Sequence, residues 1–220
     1  MESNKINKFF DEYSVNSNGT YLLSGNNNLS VDGTGIMPSV DSEKARLIKS
    51  VIERYILKDI IFHLDVGCGL GWLSKTLDEY DNFESYGLEG SNNLLTHFVH
   101  EKSKIVIADL SKEITDERLY CNFDLTTSFE LIEHIHRTHQ LQFWKNLSFL
   151  SNHHICSIHV KNEENNEHCT INSPNTWEKI FKELNIVYEK INDFPIKEWE
   201  CSEYYFLTFT EKIIGNSTFK

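Results

Sequence analysis

The stretch Phe62-His63-Leu64-Asp65-Val66-Gly67-Cys68-Gly69-Leu70-Gly71 decides how this chain folds: an apolar run ends in three glycines at alternate positions, and the helical pattern Trp72 to Tyr80 follows at once. Alternating glycines let the backbone turn sharply and come close to a ligand, and the helix behind them offers unpaired N–H groups at the same point. Strand, tight turn and helix in that order imply a nucleotide-type cofactor; the alternative is a tight turn that binds nothing. The spacing is Asp-x-Gly-x-Gly-x-Gly and not the Gly-x-Gly-x-x-Gly of dinucleotide sites, and Asp65 would repel a diphosphate. An acid there suits a positively charged cofactor.

Outward from this point the pattern alternates. Upstream, Asp41 and Ser42 are helix-capping types, followed by Ala45, Ile48, Val51 and Ile52 at helical spacing. Residues 60–66 form the first strand of the sheet. Downstream, strands are expected over 85–88, 105–108, 123–128 and 155–160, with helices over 92–99 and 136–150, the second placing Leu141, Trp144 and Leu147 on one face. Beyond Pro174 a helix over 176–184 precedes two apolar runs, 186–191 and 204–210, close enough together to form an antiparallel pair at the sheet edge. Such alternation means a parallel sheet covered on both faces.

A length of 220 residues suggests one domain. The organisation expected is an N-terminal arm or lid over 1–40, rich in Asn, Ser and Gly, a domain over 41–212, and a tail over 213–220. No run approaches the roughly 18 to 20 apolar residues of a membrane helix, and Met1 to Phe10 lacks a secretory signal, so the expected compartment is the cytoplasm. Cys68, Cys121, Cys156, Cys169 and Cys201 show no C-x-x-C pair and are expected as reduced thiols. A formal charge of −12 disfavours nucleic acid, whose phosphates need clustered Lys and Arg.

With the glycine turn, the acid before it and the alternating elements in place, the chain resembles the class I S-adenosylmethionine-dependent methyltransferases over roughly residues 51–210. The resemblance implies a Rossmann-like, doubly wound, mostly parallel seven-stranded sheet with an antiparallel edge strand and helices on both faces. It also implies S-adenosylmethionine as cofactor, which carries a sulfonium and an ammonium but no phosphate. Glu89 stands 20 residues after Gly69, where a carboxylate accepts the ribose hydroxyls. Asp109 matches the family acid beside the adenine amino group, and Leu110 is an adenine-packing neighbour. The implied cofactor residues are Asp65, Gly67, Cys68, Gly69, Glu89, Gly90, Asp109, Leu110 and Ser128.

The fourth motif, Ser128-Phe129-Glu130-Leu131-Ile132-Glu133-His134, resembles the branch whose fourth strand ends in Glu-x-x-Glu-His, and lacks the Asn/Asp-Pro-Pro-Tyr/Phe signature of amino-methylating DNA enzymes. In a helical turn Glu130, Glu133 and His134 share a face, and two carboxylates with an imidazole suit Mg²⁺, Mn²⁺ or Fe²⁺. His168 stands where small-RNA 3′-terminal 2′-O-methyltransferases carry a histidine that completes a metal site, although its distance from His134 is shorter here. The metal set implied is Glu130, Glu133, His134 and His168; the alternative is two acids near the cofactor and a packing histidine. His159, at the end of the fifth strand, is a second candidate ligand or base, and His153 and His154 are assigned to a strand entrance.

The reaction expected is O-methylation of a sugar or glycan hydroxyl, with Glu133, His134 and His168 as base or metal ligands. A positioned histidine or a metal activates a hydroxyl, and a metal favours vicinal diols. An RNA 3′ end, a quinone or another small metabolite is the alternative acceptor, and a non-catalytic module that binds the cofactor is the alternative of another class. Tyr13, Tyr21 and Trp199 are candidate acceptor platforms; Trp72, Trp144 and Trp177 are expected in helix packing.

Overall fold

A computed structural model describes residues 20–23, 27–30, 37–90, 98–161, 168, 170–192 and 201–214. The order is β1 (Thr20–Leu23), β2 (Asn27–Ser30), α1 (Met37–Tyr55), β3 (Ile61–Val66), α2 (Trp72–Asp78), β4 (Phe83–Glu89), β5 (Ile105–Ile107), β6 (Leu125–Phe129), α3 (Gln140–Leu150), β7 (His153–His159), α4 (Pro174–Glu183), β8 (Ile186–Lys190) and β9 (Ser202–Phe209). Strands β1 and β2 form an antiparallel pair that the sequence did not announce. Tyr13, Trp199 and Cys169, the greater part of the arm, and most of the helix expected over 92–99 lie outside the described residues.

The seven other strands form one sheet in the order β5-β4-β3-β6-β7-β9-β8. Strands β3 to β7 are mutually parallel, and β9 runs antiparallel to both β7 and β8. The reversed strand therefore lies one in from the edge. Consecutive connections leave β3 toward opposite sides, so the strand order reverses between β3 and β6. In such sheets ligands bind outside the carboxyl ends of the strands at that reversal, where the glycine turn and Glu130 both fall.

Side-chain alternation gives the sheet two apolar faces. On one, Ile61, Leu125, Ile155 and Phe206 pack with Ala45, Ile48 and Ile52 of α1 and Leu73 and Leu77 of α2. On the other, Leu64, Val66, Cys156 and Leu207 pack with Trp144 and Leu147 of α3 and Trp177 and Phe181 of α4. Each fully buried aliphatic or phenyl side chain contributes about 1.5–3 kcal/mol, and Trp144 and Trp177 are wholly enclosed.

Helix ends explain where expected boundaries moved. Helix α1 begins at Met37, ahead of the capping types Asp41 and Ser42, because Pro38 is tolerated in a first turn. Helix α4 begins at Pro174 behind Ser173, whose hydroxyl accepts from the Thr176 N–H. Helix α3 starts at Gln140 and not 136, since Arg137–His139 form a tighter 3₁₀ turn. The described cysteines are free thiols. Among the described residues no helix is long and apolar enough to cross a membrane.

Candidate active site

The turn after β3 is held in shape by its own backbone. Gly67 and Cys68 both donate their N–H to the Leu88 carbonyl, at 2.8 and 3.0 Å, and Gly71 donates to Cys68 at 2.9 Å. Gly67, Gly69 and Gly71 all have positive φ, at 75, 54 and 83°, a region that L side chains rarely adopt. At Gly67 there is also no room: a Cβ would come within 2.9 Å of the Leu131 side chain. The result is a cleft lined by Gly67, Gly69, Leu88, Glu89, Gly90, Ala108, Leu110, Phe129, Glu130, Leu131 and Ile135. Two of these carry carboxylates and none is basic, which suits a cationic ligand and opposes a diphosphate.

The residues singled out from the sequence separate within this frame. Gly67, Gly69, Glu89, Gly90 and Leu110 face the cleft. Glu89 also accepts the Gly69 N–H on Oε2 at 2.9 Å, which ties the ends of β3 and β4 together. Asp65 is buried and accepts the Thr127 hydroxyl on Oδ1 at 2.9 Å. Cys68 turns away from the cleft toward Gly87, and burial together with Glu89 and Asp65 pushes its thiol pKa up. The Asp109 carboxylate takes the Ser111 N–H and hydroxyl and faces Lys112 at 2.8 Å; these partners outweigh its burial and hold its pKa down. Ser128 is buried with its hydroxyl 2.9 Å from Nε2 of His154, and Phe129 is the cleft-facing residue of that strand end.

A second cluster adjoins the cleft just beyond β6. Glu133, His134 and His168 each offer a ligand atom within 4.8 Å of the others. The His168 ring lies 4.8 Å from that of His134 and 4.5 Å from that of His159, centroid to centroid. Glu130 is turned elsewhere: it adopts φ 52°, donates its N–H to Ser157 Oγ at 2.9 Å, and accepts that same hydroxyl on Oε1 at 2.7 Å. His159 Nδ1 stands 3.8 Å from Glu130 Oε2. Burial works against the Glu130 charge, but His159 and Ser157 outweigh it and its pKa is lowered. Glu133 goes the other way, because burial and then the neighbouring Glu130 push its carboxyl well up.

Glu133 is wholly enclosed, and among the described residues neither carboxyl oxygen has a hydrogen-bond partner. A buried carboxyl in that condition is costly unless it is protonated or meets a cation. One carboxylate and two imidazoles are a donor set for a borderline divalent ion such as Mn²⁺ or Fe²⁺, so the residues fit such a group.

Three supporting residues were not foreseen. Gln140 donates to the Ile132 and Ile135 carbonyls at 2.8 and 2.9 Å, which pins the Ile132–His134 turn. Thr170 donates its N–H to the Glu133 carbonyl at 2.9 Å and its hydroxyl to Ile135 at 2.7 Å, so the segment carrying His168 is stitched to that turn. Ser157 clamps Glu130. The signal available was polarity inside apolar runs, as at Ser157 between Cys156 and Ile158.

A family model described as a methyltransferase domain matches residues 64–148, from β3 through most of α3. No curated protein sequence matches the chain. Among solved structures, the methyltransferase domain of bacterial CtHen1 is 18% identical over 77% of this chain and 100% of its own, with a TM-score of 0.57. The small RNA methyltransferase HEN1 is also 18% identical, over 78% of this chain but 26% of its own length, at 0.57. Magnesium protoporphyrin IX methyltransferase from Synechocystis PCC 6803, solved with bound SAH, is 12% identical over 78% of this chain and 84% of its own, at 0.58. At these identities the likeness is one of fold, and the acceptors named differ.

Proposed function

We propose that this chain is an S-adenosylmethionine-dependent methyltransferase that methylates one hydroxyl of a vicinal diol on a sugar, with a divalent cation held by Glu133, His134 and His168. The observation that carries the reading is the convergence of those three side chains within 4.8 Å, at a turn whose flanking residues Leu131 and Ile135 line the cleft.

The cofactor supplies an electrophilic methyl group on a sulfonium. The positive-φ glycines allow close backbone approach, and the Glu89 carboxylate, tied to the Gly69 N–H at the rim of the cleft, would accept the ribose hydroxyls. Glu130 turns one carboxylate toward the cleft in a geometry fixed by Ser157, and favours positive charge there. A cation on the triad would lower the pKa of a hydroxyl and orient two neighbouring oxygens. The turn stitched by Gln140 and Thr170 keeps Glu133 and His134 aimed at one point, which displacement chemistry needs, since the acceptor must sit about 3 Å from the methyl carbon.

A second reading makes the diol the 3′-terminal ribose of a small RNA. It is favoured by the likeness to CtHen1 and HEN1 and opposed by the net charge of −12. The test is transfer of labelled methyl from S-adenosylmethionine to panels of saccharides, nucleosides and RNA oligonucleotides, each with and without Mn²⁺, Mg²⁺ or a chelator. Cation-dependent transfer to diols, lost in the matching deoxy compounds, is expected. An RNA with a free 2′,3′-diol outperforming every saccharide selects the second reading. Undiminished transfer in chelator overturns the cation, and transfer only to a carboxylate, quinone or carbon acceptor overturns both readings.

A further inference from the structure

Beneath the glycine turn, four residues on the α1/α2 face of the sheet form one hydrogen-bonded line across three strands. Register sets Ser85 of β4 beside His63 of β3, and Thr127 of β6 beside Asp65. Ser85 Oγ lies 2.7 Å from His63 Nδ1, His63 Nε2 lies 3.0 Å from Thr127 Oγ1, and Thr127 Oγ1 lies 2.9 Å from Asp65 Oδ1. His63, Ser85 and Thr127 are fully buried and Asp65 is 5% exposed.

Burial lowers the His63 pKa to about 3 and keeps the ring neutral, and with Asp65 ionised only one arrangement of hydrogens then satisfies this line. An ionised carboxylate accepts and cannot donate, so the single hydroxyl proton of Thr127 goes to Asp65. The Thr127 oxygen must then accept from His63, which places the ring proton on Nε2. His63 Nδ1 is left as an acceptor, and Ser85 donates to it. Ser85 is anchored by its main chain, its N–H on Asp78 Oδ1 at 2.7 Å and its carbonyl on His100 Nε2 at 3.1 Å. Were the line reversed, with the ring proton on Nδ1, the Thr127 proton would go to Nε2 and Asp65 would face a lone pair at 2.9 Å. An ionised Asp65 therefore selects the tautomer, and the tautomer keeps a donor on Asp65.

We infer that His63 and Thr127 are positioning residues for the cofactor cleft, holding the Asp65 carboxylate in place through a line of donors that starts at Ser85. The inference rests on the reading of Asp65 as part of the cofactor turn. Neither residue faces the cleft, so their effect on the cofactor passes through Asp65.

Calorimetry with S-adenosylhomocysteine on the full chain compares the parent with Thr127→Val, which keeps the shape and removes the hydroxyl, and Thr127→Ser, which keeps the hydroxyl. Thr127→Val is expected to weaken binding about tenfold or more, and Thr127→Ser to stay within about threefold of the parent. In an Asp65→Ala background Thr127→Val is expected to change affinity no further. ¹⁵N-histidine NMR of the parent is expected to show His63 neutral with its proton on Nε2. Parental affinity in a folded Thr127→Val, or an Nδ1–H ring in the parent, overturns the inference. A parent that binds no S-adenosylhomocysteine overturns the cofactor reading instead, and the NMR tautomer still judges the line of donors on its own.

Discussion

At the scale of single residues, Gly67 and Glu133 are positions where geometry leaves little freedom. Gly67 combines φ 75° with a virtual Cβ at 2.9 Å from Leu131, so Gly67→Ala adds both backbone strain and a clash. The expected cost is about 1–3 kcal/mol of stability, seen as a lower urea midpoint, together with weaker binding of S-adenosylhomocysteine by calorimetry. Glu133 differs in kind, because its enclosed carboxyl lies beside Glu130, and burial and then that neighbour push its pKa up. Glu133→Gln keeps the volume and removes the ionisable group, so the variant should unfold in chelator at a midpoint equal to or above the parent's. In Mn²⁺ the order should invert. A cation at one hundred times its Kd stabilises the parent by about 2.7 kcal/mol, a gain that Glu133→Gln should lose along with cation-dependent methyl transfer. An equal Mn²⁺-induced rise in Tm for both proteins would take Glu133 out of the cation site.

At the scale of elements, the turn between β6 and α3 is the piece whose shape matters most and whose support is least local. Gln140 supplies two donors to buried carbonyls there. Gln140→Leu leaves both carbonyls without that partner, at about 1–3 kcal/mol each. The expected outcome is a folded protein of lower Tm in which Mn²⁺ gives a smaller stabilisation than in the parent. An unchanged Mn²⁺ response would mean that the turn holds its shape without Gln140. This turn also marks where sequence reading stopped. The β3 turn and the succession of strands and helices were legible because they follow from neighbours in the chain: three alternating glycines, apolar residues at period 2 or 3.6, Ser173 before Pro174. Glu133, His134 and His168 were legible as residue types, through a motif. That Glu130 turns from them toward Ser157 was not, since its partner is 27 residues away and depends on the β6/β7 register. Thr170, which joins the two halves of the cluster, bonds across 35 residues to Ile135. The reversal of β9 inside the edge was hidden for the same reason, because spacing along the chain shows two close strands and not which of them inserts beside β7.

At the scale of the whole molecule, polar groups buried in the sheet set the response to acid. His63 lies on one face with Ser85 and Thr127, while His154 lies on the other between Thr126 Oγ1 at 2.8 Å and Ser128 Oγ at 2.9 Å. Burial pushes both rings down to about 3, so both are neutral in the folded chain at any ordinary pH. Unfolding returns them to an ordinary histidine value near 6.5. Between these limits the two rings bind up to two more protons in the unfolded chain than in the folded one, and the stability they contribute is lost as the pH falls from about 6.5 toward 3. Glu133 has the opposite sign, since its raised carboxyl keeps a proton in the fold that the unfolded chain releases above the usual glutamate range. Glu133 therefore offsets part of the pH dependence that the two rings impose. A cation on the cluster requires Glu133 to be ionised and removes that opposing contribution, so the slope should steepen. Urea midpoints measured from pH 7 to pH 5 should fall in chelator and fall more steeply in Mn²⁺. A flat profile in chelator would mean that one of the two rings carries its charge inside the sheet, and parallel profiles would mean that Glu133 is already ionised without the cation.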